Sequence, residues 1–157
     1  TFTIEKQENA AETPVEAQPM TRADAVQALY EDAGSPAASG ASFTDVSGDA
    51  AYAQAVAWAA QNGIAAGNGD GTFAPNAPVT REQLAVMLSR YAALQGRALS
   101  AGQDALNACS DAASVSGWAQ SGVAQVLNGG LLTAENGQFA PKATAMTDEL
   151  ANALAQL

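Results

Sequence analysis

The sequence predicts an all-α protein of tandem helix-loop-helix repeats with short extended pieces in the loops. First, the chain repeats itself. Residues 43–88 overlay residues 109–154 with one offset of 66, which puts Asp45 on Asp111, Tyr52 on Trp118, Phe73 on Phe139, Pro75 on Pro141, Leu84 on Leu150 and Leu88 on Leu154. Second, apolar residues within a copy fall at helical spacing, as Leu84, Leu88 and Tyr91 do. Two short helices with one apolar face each bury those faces only against a neighbouring copy. Third, alanine occurs 39 times, so much of the apolar content is small, helix-forming residue that lets helices approach closely.

Taken in order, residues 1–18 are rich in Glu, Gln, Ala and Pro without a sustained apolar period and read as a linker or arm. Within them the alternation of Phe2 and Ile4 with polar residues suits a short strand against the body. Residues 19–38 form the C-terminal part of a first repeat, in which Thr21-Arg22 falls on Thr80-Arg81 with an offset of 59. Its helix carries Val26, Leu29 or Tyr30, and Ala33 on the core face. The second repeat spans 41–95, and its first helix runs from about Ala50 to Asn62 with Tyr52, Val56 and Ala59 in one stripe and Gly63 as the stop. GNGDGTFAPN, residues 67–76, is a tight turn in which Gly69 and Gly71 supply positive φ and Phe73 enters the core. The third repeat, 105–157, is degenerate. Its first helix is expected from about Val115 to Asn128, with Trp118, Gly122 and Val126 in line. Gly-, Ser- and Ala-rich segments 34–42 and 96–104 link the repeats.

Composition removes whole classes of function. The net charge is −10 and the six cations, Lys6, Arg22, Arg81, Arg90, Arg97 and Lys142, are scattered, whereas nucleic-acid binding needs a basic stripe. There is no histidine, so imidazole triads, imidazole metal sites and the commonest general base are missing together. Cys109, the single cysteine, reads as a buried and inert thiol. No apolar run is long enough to span a membrane. The chain opens on Thr1, which leaves room for a removed leader. The glycine-rich turn invites a calcium reading, but with Gly71 as the glycine of such a loop the first and last ligand positions fall on Ala66 and Ala77, which carry no carboxylate. No metal and no cofactor are expected.

Two arginines remain to be explained. Thr21 and Thr80 are N-caps, with Asp24 and Gln83 completing capping boxes. Arg22 and Arg81 follow the caps at the positive helix end, where a cation is unfavourable by a few tenths of a kcal/mol. The same misfit in two copies points to use rather than accident: a guanidinium fork backed by a helix start is a compact site for a carboxylate or phosphate. Aromatic residues on amphipathic helices usually belong to the core. Among Trp58, Trp118 and Tyr52, Trp118 beside a loop is the best placed to stack on a sugar ring.

Together FTDV, the helix ending in NGI, the GxGDGTFxP turn and the TRE that opens the next helix resemble an S-layer homology domain. The resemblance covers about residues 19–157 and is most specific over 43–92. It implies a pseudo-threefold spindle of helices and no catalysis. It also implies attachment to secondary cell-wall polysaccharide, with or without a pyruvate ketal, at the outer surface of a bacterium as part of a larger surface protein. In that family the arginine of the TRAE motif contacts the ligand; TRAD supplies Arg22 here and TREQ supplies Arg81. Asp45 matches the family's loop aspartate and Asp111, within CSDA, matches it less closely. Tyr52 and Trp118 match the aromatic at the start of the first helix. The third copy departs, since ATAMTDEL puts Thr147, or Asp148 with a one-residue shift, in the arginine's place. The competing expectation is a degenerate scaffold for protein–protein contacts in an envelope protein.

Overall fold

The computed structural model describes residues 18–38, 43–47, 49–65, 70–97, 99–100 and 103–156. The expected strand at Phe2 and Ile4 and the glycine at Gly69 lie outside them. Helices α1 (Arg22–Asp32), α2 (Ala53–Gln61), α3 (Arg81–Leu94), α4 (Gln103–Asn107), α5 (Gln120–Asn128) and α6 (Thr147–Gln156) carry the structure. Only isolated antiparallel bridges, and no sheet, join the described loops, in keeping with the all-α expectation.

Both capping boxes form. The Thr21 hydroxyl accepts from Asp24 N–H and the Asp24 carboxylate from Thr21 N–H at the start of α1, and Thr80 and Gln83 repeat the exchange at α3. At α6 a glutamate does half of this work, Glu149 Oε1 accepting from Met146 N–H at 2.9 Å. Thr147 is thus the residue in the arginine's register, with no one-residue shift.

The segments ahead of α1, α3 and α6 close a ring of backbone hydrogen bonds. Met20 N–H donates to Ala145 O at 3.0 Å, Ala145 N–H to Val79 O at 2.8 Å, and Val79 N–H to Met20 O at 3.0 Å. Each buried amide in the ring is thereby satisfied by a segment distant in sequence. Below the ring a continuous core gathers Val26, Leu29, Val56, Phe73, Leu84, Leu88, Val123, Phe139 and Leu150. Trp58 belongs to it, edge-on to both Tyr30 and Tyr91 with ring centroids 5.7 and 5.9 Å away. Helix α1 packs on α2, and α3 packs on α5. The second pair is close: a Cβ placed on Gly122 would stand 3.0 Å from Val86 Cα. Cys109 is buried, as expected, and burial pushes its thiol pKa up, with Asp111 adding to the effect.

Three elements differ from expectation. Helix α2 starts at Ala53 rather than Ala50, with Tyr52 in the N-cap position. In the third copy the helix begins at Gln120, preceded by a 3-10 turn at Gly117–Ala119. Val115 and Ser116 are extended, at ψ 128° and 146°. Val115 is held in the core and Ser116 N–H by the Glu82 carboxylate, so the helix cannot begin there. Trp118 therefore leaves the line of Gly122 and Val126 and stands 60% exposed. The linker expected over 96–104 is entered by α4, which is too short to be stable alone and is held against α5, with Leu106 buried.

Candidate functional site

Asp45 builds the first half of the site. Its two carboxylate oxygens accept the N–H groups of Phe73 and Ala74, both at 2.8 Å. These bonds hold a turn in which Gly71 has φ 89° and Ala74, a non-glycine, has φ 60°, a left-handed conformation uncommon for residues with a Cβ. The Phe73 N–H, joined by that of Ala74, holds the Asp45 carboxyl below the usual carboxylate range. The turn drives Phe73 into the core, as expected, and aims its carbonyl at Arg22.

Arg22 then crosses from the start of α1 to this turn. Its Nε donates to Phe73 O at 2.9 Å, and its guanidinium lies 4.6 Å from the centre of the Phe73 ring. Cation–π contact and a charge-assisted bond thus act on the same residue. Burial lowers the Arg22 pKa and the Asp45 charge opposes that; an arginine so placed keeps its proton at neutral pH.

The same construction recurs in the next copy, with the aspartate and turn 66 residues on and the arginine 59. Asp111 accepts from Phe139 and Ala140 N–H at 2.9 and 2.8 Å, and Ala140 has φ 57°. Arg81 Nε donates to Phe139 O at 2.8 Å with its guanidinium 4.6 Å from the ring centre. Arg81 NH2 also donates to Thr133 O at 2.7 Å, and NH1 forms an ion pair with Glu149. A groove of about 420 Å³ opens beside it, walled by Phe139, Thr144 and the carboxylates of Glu135, Asp148 and Glu149.

The structure thus brings Arg22 together with Asp45 around Phe73, and Arg81 with Asp111 around Phe139. Trp118 does not line the Arg81 groove, and Tyr52 is half-buried with its ring packed against the core. Sequence reasoning also passed over Glu82. This carboxylate is almost fully buried and accepts from Ser116 N–H at 2.9 Å, Ser116 Oγ at 2.8 Å and Lys142 Nζ at 2.9 Å. Burial alone would raise its pKa; the Ser116 and Lys142 donors outweigh that and hold it below the usual range. The available signal was that Glu82 stands where the first copy has Ala23.

At the third corner Thr147 replaces the arginine, and its partner also differs. Thr147 N–H donates to Gln18 O at 2.8 Å and Thr147 Oγ1 accepts from Gln18 N–H at 3.1 Å. Among the described residues no group of His, Cys, Asp or Glu side chains could hold a metal ion, and no helix is long and apolar enough to cross a membrane.

Repeated arginine-on-phenylalanine joints between helix starts and aspartate-capped turns define a small helical repeat module. Residues 42–85 match the family model of the S-layer homology domain, the family that the sequence resembles. The match takes in Asp45, Phe73 and Arg81. S-layer homology domains are non-catalytic, occur in cell-surface proteins of bacteria and anchor proteins to the cell wall. No curated protein matches the chain.

Proposed function

We propose that this chain is a non-catalytic anchoring module that binds secondary cell-wall polysaccharide at the bacterial surface. In this reading the tandem units, the first represented by residues 19–38, 41–95 the second and 105–157 the third, stand around the backbone ring as a pseudo-threefold spindle. The single observation that carries the reading is the repeated Arg–Phe–Asp construction, which fixes a cation at a helix start twice over. Arg22 and Asp45 serve one groove, Arg81 and Asp111 the next; Trp118 and Tyr52, outside the lining of the Arg81 groove, are read as further sugar contacts. Sugar hydroxyls suit the aspartates, and the exposed Trp118 ring suits a sugar face.

Sedimentation with purified wall sacculi tests this, before and after the secondary polymer is stripped. Co-sedimentation lost on stripping is expected. Removing one charge-assisted contact costs about 1.5–3 kcal/mol, so Arg22→Ala should weaken binding by about tenfold or more, and an Arg22→Ala/Arg81→Ala double variant that still binds like the parent refutes the reading. A protein-contact scaffold is the second reading, and one feature favours it: each nitrogen of Arg81 already has a partner within the protein. Under that reading neither native nor stripped sacculi bring the chain down.

A further inference from the structure

The residues that wall the Arg81 groove have counterparts one repeat earlier in the sequence, yet their charges differ. Around Arg81 stand Glu135, Asp148 and Glu149; an offset of 66 in the sequence aligns these three carboxylates with Gly69, Glu82 and Gln83. Of these, Glu82 is committed to Ser116 and Lys142. Glu149 does two jobs: Oε1 caps α6 through Met146 N–H while Oε2 pairs with Arg81 NH1. Gln83, uncharged, makes the corresponding cap, its Oε1 accepting from Thr80 N–H at 3.0 Å.

A protein carboxylate thus sits where a ligand anion would meet the Arg81 guanidinium. The remaining Arg81 nitrogens are turned to Phe139 O and Thr133 O. An incoming anion would have to displace Glu149 and approach two further carboxylates. With Arg81 as the one cation among those wall residues, an added negative charge meets net repulsion, whereas hydroxyl and ammonium donors meet acceptors.

We propose that Glu149 is a specificity-determining residue that closes the Arg81 groove to anionic sugars and leaves it to uncharged or amine-bearing ones. The proposal rests on the reading that these grooves hold sugars. It makes the two grooves unequal, although the arginine motif that marks them in the sequence is the same.

The test is a titration of the full chain by NMR, observing Arg81 Nε–H and the Phe139 amide. The probes are methyl galactoside 4,6-pyruvate ketal as the anion and methyl glucosaminide as the amine. Wild-type chain is expected to respond at Arg81 to the amine and not to the ketal. Glu149→Gln keeps the α6 cap, as Gln83 does for α3, and should raise ketal affinity at this groove by about tenfold, the worth of one charge-assisted contact. Glu135→Gln, away from the cap, should move it the same way by a smaller factor. Adding Arg81→Ala to Glu149→Gln should abolish the gain. Ketal binding at Arg81 in the wild type as tight as in Glu149→Gln overturns the proposal, as does a folded Glu149→Gln that gains nothing. A gain that survives Arg81→Ala overturns it too. Sacculus sedimentation reads the anchoring function separately, so either idea can fail while the other stands.

Discussion

Arg22 and Arg81 stand where a bare helix would disfavour them, and their side chains show what outweighs that small cost. Each guanidinium is half-buried on a phenylalanine ring and bonded to that residue's own carbonyl. The arginine therefore serves the fold as well as any ligand, and at the corresponding position Thr147 bonds the Gln18 backbone instead. Aspartates carry the turns themselves. Asp111→Ala should strand the Phe139 and Ala140 amides and destabilise the protein by about 1–3 kcal/mol in urea titration; an unchanged midpoint would remove the aspartate from this role. Glu82 makes stability depend on acid. Its carboxyl is lowered from an ordinary 4.5 in the folded state, so its contribution is full above that value and lost as the pH falls through the lowered one. Thermal melts of Glu82→Gln should accordingly differ most from the parent near neutrality and converge with it at the acid end, whereas a constant offset would contradict the assignment.

At the scale of elements, local chemistry decided where helices start only when the cap lay within the helix's own sequence. The Thr-x-x-Asp and Thr-x-x-Gln boxes were legible and formed at α1 and α3. The late start of α5 was not legible, because what holds Ser116 out of the helix is Glu82, 34 residues away. The contact of α3 with α5 likewise depends on a residue that marks no boundary. Gly122→Leu must push a side chain into Val86, where a single Cβ already comes to 3.0 Å. Overpacking of this kind costs about 1–3 kcal/mol, well beyond what the better helix propensity of leucine returns. Denaturant melts should show a loss of that order for Gly122→Leu and little for Gly117→Ala, whose Cβ would meet nothing within 4 Å.

For the whole molecule, the ring of Met20, Val79 and Ala145 joins the three longer helices through their leading segments. Ala145→Pro removes one N–H and leaves the Val79 carbonyl without its donor. A loss of at least about 1–3 kcal/mol is expected, seen as one cooperative shift because core and ring are continuous; a separate early transition of α6 would argue against that continuity. The sequence by itself determined the helical class, the recurring turn, the caps and the recurrence of an arginine at the helix start and an aspartate ahead of the turn. These are properties of short segments and of their repetition. Only the tertiary structure decided that Trp118 faces outward, that Glu82 is buried and that Glu149 lies on Arg81. In each case the deciding partner comes from a different copy of the repeat, and charge-assisted contacts across that distance leave no periodicity for the sequence to display.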